Sequence, residues 1–234
     1  MGNVVLIGSQ KSDIGKTIIS VKTGIKLSES GKKVILMDLS SGKMKISEYL
    51  RVNEDIIYDI KDVLESICSI DQALIEVNQQ LSILPCPRIA DKLNNIKIGE
   101  FAKLINEANK LYDIIIIDVD KISLSFIDFN LITHIVTVNN NDFSCIKELN
   151  SDKVIAQKYN VNNISAVLNK YNKKSANNGK MLNYKDIQKM TDLNIDVIID
   201  ENIKYSNVDY DFMFNKDDNS FNKAINCLTD KINL

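Results

Sequence analysis

The sequence predicts an α/β protein, a three-layer, doubly wound and mostly parallel sheet with helices on both faces. Three observations carry this. Short apolar runs alternate with helical patterns along the chain, as in successive βαβ units. One run, Ile114 to Ile117, is four isoleucines between Asp113 and Asp118; an unbroken β-branched run fits a central parallel strand buried on both faces. Finally, Gly8, Asp38, Asp118 and Asn169 each close an apolar run, and open α/β sheets bind ligands at the carboxyl ends of their strands.

At 234 residues the chain is long enough for one domain, expected over 1–234, with a substantial core. Only 2 prolines and 8 glycines punctuate it, so no linker or repeat is evident. A net charge of −2 gives no global field toward nucleic acid or an anionic membrane. Cys68, Cys86, Cys145 and Cys227 are far apart, and read as reduced thiols, not as a metal site or disulfide framework. The first residues carry no basic, signal-like stretch, and no apolar run approaches membrane-spanning length. A cytoplasmic protein is the expectation.

The elements follow in order. Asn3 to Gly8 reads as a strand, and Lys16 to Ser30 as a helix that Gly31 stops. Lys33 to Asp38 is a buried strand ending in a carboxylate. Ser47 to Leu50 and Asp59 to Cys68 read as short helical pieces, followed by Gln72 to Val77 and then a short strand, Leu81 to Pro85. Gly99 to Lys110 places Phe101, Leu104, Ile105 and Ala108 on one helical face. After the isoleucine strand come a strand at Ile132 to Val138, a helix at Asp142 to Tyr159 and a strand at Asn163 to Leu168. A helix at Tyr184 to Thr191, a strand at Ile195 to Ile199 and a closing helix at Asn219 to Leu234 complete the chain.

The chemistry concentrates in Asn3 to Thr17. An apolar strand ends at Gly8, a polar loop follows, and Gly15-Lys16-Thr17 opens a helix. That is the context of a phosphate-binding P-loop, although Gln10 stands where the pattern has its first glycine. Helix-start N–H groups and the helix dipole would hold phosphate. Lys16 would reach the β- and γ-phosphates, and the Thr17 hydroxyl would ligate Mg²⁺. Asp118 fits the Walker B carboxylate, which holds Mg²⁺ directly or through a water; a strand-terminal cap is the bland reading. Asp38 is placed to order the metal's waters or the attacking water, unless it is a turn residue. The Asn169 amide suits the two-sided edge of adenine, though spacing alone leaves that open.

Gln10-Lys11-Ser12-Asp13-Ile14-Gly15-Lys16-Thr17 resembles the deviant Walker A motif of the MinD/ParA family of ATPases, K-G-G-x-G-K-[ST], with Lys11 on the signature lysine. Lys32 to Asp38 resembles that family's second strand, Tyr112 to Asp118 its Walker B strand, and Val167 to Lys170 its adenine-recognition strand end. Tyr58 to Glu65 and Gly179 to Ile187 resemble the MinD branch in particular. The resemblance implies a P-loop NTPase fold with ATP or ADP and Mg²⁺ as ligands. Ile14, Gly15, Lys16, Thr17 and Asn169 would bind the nucleotide, and Thr17 and Asp118 the metal. Lys11, Lys16 and Asp38 would be the catalytic set, with Lys11 reaching the partner's phosphates in a nucleotide-dependent homodimer. A protein regulator or effector is implied, and direct nucleic-acid binding is not.

The departures bear on turnover. Gln10, Ser12 and Asp13 replace loop glycines, and Asp13 sets a carboxylate beside anionic phosphates. Asp38-Leu39-Ser40 stands where the family has D-x-D. Asp118-Val119-Asp120-Lys121-Ile122 stands where it has D-x-P-x-G. The implied function is a nucleotide-dependent switch in spatial regulation of cell division, with hydrolysis slow or lost. The alternative is a non-hydrolysing scaffold of the same fold, of the pilus-localisation type. Phe221, Ala224, Ile225, Leu228 and Ile232 give the last helix an apolar face but no basic cluster beside it. Docking on the domain's own sheet is favoured over contact with a membrane surface.

Overall fold

The computed structural model describes residues 2–40, 42, 44–87, 96–202, 205, 208–217 and 219–233. Its centre is strand β1 (Asn3–Gly8), hydrogen-bonded in parallel to β5 (Ile114–Val119) on one side and β6 (His134–Asn139) on the other. Beyond β5 lies β2 (Val34–Leu39), and beyond β6 lie β7 (Asn163–Tyr171) and β8 (Ile195–Asp200), all parallel. The edge next to β2 is a hairpin of β3 (Ile75–Asn78) and β4 (Leu81–Leu84), giving the order β3-β4-β2-β5-β1-β6-β7-β8.

The isoleucine run is what makes the sheet central. Every residue of β5 is buried, and alternate side chains feed opposite faces because strand side chains alternate. Ile114 and Ile116 join Val5, Ile7 and Leu36 in a core covered by α1 (Lys16–Glu29) and α10 (Ser220–Ile232). Ile115 and Ile117 join Leu6, Ile35 and Met37 in a second core covered by α5 (Ile98–Ala108). Truncating any one of these isoleucines to alanine costs about 2–5 kcal/mol. A smaller cluster, with Leu149 of α6 (Cys145–Lys158), Leu168 of β7 and Ile187 of α8 (Tyr184–Met190), covers the β7 end. The remaining helices are short: α2 (Ile46–Tyr49), α3 (Ile60–Leu64), α4 (Ile70–Ala73), α7 (Lys173–Asn177) and α9 (Tyr210–Phe214).

Four elements differ from the sequence reading. Gln72 to Val77 does not continue the helical pieces: Ile75–Asn78 pairs antiparallel with β4. Its period-2 burial and the turn in which Asn78 Oδ1 accepts from Gln80 N at 2.8 Å explain this. Strand β7 runs past Leu168 to Tyr171, with a register break against β8 and Lys170 at φ 53°. Helices α7 and α9 have too few residues to show a period. The last helix buries Phe221, Ala224, Ile225, Leu228 and Ile232 in the α1 core, so its apolar face is already covered. Among the described residues no helix is long and apolar enough to cross a membrane.

Candidate functional site

The loop from Ser9 to Gly15 carries the chain from β1 into α1. Gly15 is the residue before the helix and sits at φ 87°, a left-handed conformation natural to glycine. Asp13 sits at φ 57°, so one glycine-replacing residue still adopts a glycine-like backbone, as aspartate tolerates better than most side chains. Two side chains from the end of β7 hold this loop. Asn169 Nδ2 donates to the Ile14 carbonyl at 2.7 Å, and Lys170 Nζ donates to the Asp13 carbonyl at 2.6 Å. Lys16 Nζ bends back to donate to the Lys11 carbonyl. The first turn of α1 contains no acidic residue, leaving the positive end of its dipole for an anion.

Beneath the helix start, Thr17 Oγ1 donates to Asp118 Oδ2 at 2.7 Å and Ser20 Oγ donates to Asp118 Oδ1 at 2.8 Å. Asp118 is fully buried, and burial, reinforced by the neighbouring Asp38, pushes its carboxyl up to about 7. The two aspartates are paired across β2 and β5. Burial also raises Asp38, against the hydrogen bonds that steady its ionised form. Ser40 donates both its N–H (2.9 Å) and its hydroxyl (2.7 Å) to Asp38 Oδ1, and Ile46 N donates to Oδ2 at 2.9 Å. Burial lowers the Lys16 ammonium, while Asp120, Asp118 and Asp13 pull it the other way.

The donor set fits Mg²⁺, which takes hydroxyl and carboxylate oxygens and is completed by water and substrate phosphates. Among the described residues no group of three or more His, Cys, Asp or Glu could hold a metal unaided. A cation at Thr17 and Asp118 would take its remaining ligands from water or phosphate oxygens. Thr17 opens on a cleft of about 930 Å³, with Asp118 buried beneath it; the cleft is lined by residues that include Gly15, Lys16, Asn169, Lys170, Tyr205, Val208 and Phe221. That volume lies within the range of small-molecule sites.

Gly15, Lys16, Thr17, Asp118 and Asn169 thus come together, with Ile14 buried behind the loop. Asp38 lies beside Asp118, with both its oxygens engaged by the 40–46 stretch. Lys11 points elsewhere: its Nζ donates to Asn140 Oδ1 at 3.0 Å and to the Asp142 carboxylate, with Glu148 Oε2 3.9 Å away. Gln10 also reaches toward α6, donating to buried Asp152 at 3.3 Å. Sequence reasoning placed Lys170 only within the strand-end motif, without its bond to the loop, and missed Ser20 and the aromatic residues of the cleft as site residues. Ser20 alone left a signal, one turn after Thr17 on the same helix face.

Residues 5–210 match the family model described as the CobQ/CobB/MinD/ParA nucleotide binding domain. The chain belongs to this family. A septum site-determining protein MinD from Helicobacter pylori is 37% identical over 120 residues, covering 50% of this chain and 44% of that protein. The MinD of Buchnera aphidicola from Acyrthosiphon pisum is 26% identical over 221 residues, covering 86% of this chain and 79% of its own length. The first relatives are thus matched over less than half their length. The MinD cell division protein of Aquifex aeolicus superposes with a TM-score of 0.80 at 24% identity, over 99% of this chain and 96% of that one. A MinD from Pyrococcus horikoshii complexed with Mg-ADP gives 0.79 at 21%, again over 99% and 96%. At these identities the superpositions show the shared fold. They bear out the expected mostly parallel α/β architecture, and the family match over residues 5–210 bears out the resemblance to MinD/ParA proteins.

Proposed function

We propose that this chain binds Mg²⁺-ATP at the start of α1 and acts as a MinD-like, nucleotide-dependent dimeric switch in placing a cellular structure such as the division septum. The observation that carries this is the stack of Lys16, Thr17 and Asp118 at a helix N-terminus, opening on a nucleotide-sized cleft. Lys16 turns from the Lys11 carbonyl to the phosphates. Thr17 and Asp118 would hold the cation, which would supply charge neutralisation at the phosphates. Asn169, already fixed on the loop, presents its remaining amide atoms to the base. Lys11 leaves Asp142 to reach a partner protomer.

Turnover is slow or lost in this reading. Ser40 donates to Asp38 where a water-ordering carboxylate belongs, and exposed Asp13 adds negative charge beside the phosphates. Those two observations favour the second reading, a non-hydrolysing scaffold of the same fold. Nucleotide-dependent dimerisation that Lys16→Ala abolishes, followed by size-exclusion chromatography, supports the switch; one unchanged species with and without ATP sinks it. A phosphate-release assay and a binding titration, read beside the chromatography, separate the two readings, because the scaffold binds ATP or none, releases negligible phosphate and keeps its dimer without nucleotide.

A further inference from the structure

Lys22 lies on α1, six residues beyond Lys16, and is buried. A buried ammonium is costly unless its hydrogens are satisfied, and here all three are. Nζ donates to the carbonyls of Phe212 at 3.0 Å, Met213 at 3.1 Å and Asn215 at 3.1 Å. These carbonyls cluster at the C-terminal end of α9, where Phe212 O also accepts from Asn215 N at 3.3 Å and Asn215 O from Asn222 Nδ2 at 3.0 Å, so a lysine of the P-loop helix helps to cap α9 from outside. Helix α9 has five residues and is too short to persist alone.

The clamp reaches the cleft through aromatic rings. Lys22 Nζ sits 5.1 Å from the centroid of Phe212. Phe212 packs 5.5 Å from Tyr205 and 5.3 Å from Phe221, and Tyr205 and Phe221 are 5.3 Å apart. Tyr205 and Phe221 line the cleft, with Val208 between them in sequence. Tyr205 and Val208 follow β8, which lies with β7 on the opposite side of β1 from β5 and β2. The wall therefore stands on the β7–β8 side of the cleft, away from Asp118 and Asp38, the side of Asn169, which the nucleotide reading assigns to the base.

We propose that Lys22 is a positioning residue for the sugar and base of the bound nucleotide: by capping α9 and supporting Phe212, it holds the Tyr205–Phe212–Phe221 wall against the cleft. The proposal rests on the nucleotide-binding reading above. One helix then sets both ends of the ligand, the phosphates through Lys16 and the base through Lys22.

The test is equilibrium binding of Mg²⁺-ATP and of Mg²⁺-tripolyphosphate, which has the phosphates without sugar or base, to the full chain, Lys22→Met and Phe212→Leu. Lys22→Met keeps the packed stem and removes the donors; Phe212→Leu loosens the same wall from α9. Both variants are expected to weaken ATP about tenfold and tripolyphosphate less than about twofold. ATP affinity unchanged in both variants overturns the proposal, as does an equal loss for both ligands, which marks general damage. Unsubstituted protein that binds neither ligand overturns the nucleotide reading itself, and the Lys22 proposal with it.

Discussion

Gly15 and Asn169 approach so closely that a Cβ on Gly15 would lie 2.5 Å from Asn169 Nδ2. The same amide donates to the Ile14 carbonyl, so the end of β7 and the loop before α1 are tied into one unit. A strand that the chain reaches more than 150 residues later fixes the shape of the loop.

Gly15→Ala should disrupt that unit twice over, through the collision and through the positive φ of 87°. The left-handed conformation alone costs about 1–2 kcal/mol. Displacing Asn169 removes its bond to Ile14 as well. The expected outcome is a lower unfolding midpoint in urea together with at least tenfold weaker ATP binding, read by titration calorimetry.

Asp13→Gly should act in the opposite direction on binding. Asp13 occupies a conformation glycine adopts freely, and its exposed carboxylate stands near Lys16. Removing it relieves repulsion with the phosphates. ATP should bind about three- to tenfold more tightly at low salt, with the gain shrinking as ionic strength rises, because exposed charges are screened. A gain independent of salt would point to the backbone and not the charge.

Ser40→Ala tests whether Asp38 is held as a structural anchor. It removes the 2.7 Å hydroxyl bond to Oδ1 but keeps the backbone N–H bonds from residues 40 and 46. A loss of about 1–2 kcal/mol follows from leaving a buried carboxylate less well satisfied. For a chain of this size that is a melting temperature lower by about 2–8 °C.

His134, the one histidine of the chain, gives a pH signature. Burial lowers its pKa from 6.5 to about 4, and its Nε2 lies 2.9 Å from Ser165 Oγ. Between those values the unfolded chain binds the proton and the folded one does not, so stability falls as pH drops through that window. From pH 7 to 5 the loss from this residue is about 2 kcal/mol. Urea unfolding of the natural protein and of His134→Gln at both values should show the variant losing less by that amount. Buried Asp118 and Asp152, whose raised pKa values act with the opposite sign, are common to both proteins and drop out of the difference.

Local chemistry made much of this protein legible from its sequence. The isoleucine run announced a two-sided buried strand because no other element accommodates four consecutive β-branched residues without an exposed face. Gly15-Lys16-Thr17 announced the helix start, and Asp118 the acid beneath it. Short edge elements were not legible. The strand at Ile75–Asn78 and helix α9 are four or five residues long, and their identity comes from what they pair with or dock on. The partners of polar side chains were hidden for the same reason: the alternation that identifies a strand says nothing about which loop will lie across its end.

The sequence by itself determined the architecture, the family resemblance and the residues that converge on the carboxyl edge of the sheet, because hydrophobic period and local turn chemistry are properties of neighbouring residues. Only the tertiary structure decided how those residues are engaged. It turned Lys11 toward Asp142, closed Ser40 onto Asp38, set Asn169 against Gly15 and ran Lys22 into the end of α9. Each is a contact between segments far apart in the chain or a geometry within a folded loop, and is fixed by packing that no local pattern encodes.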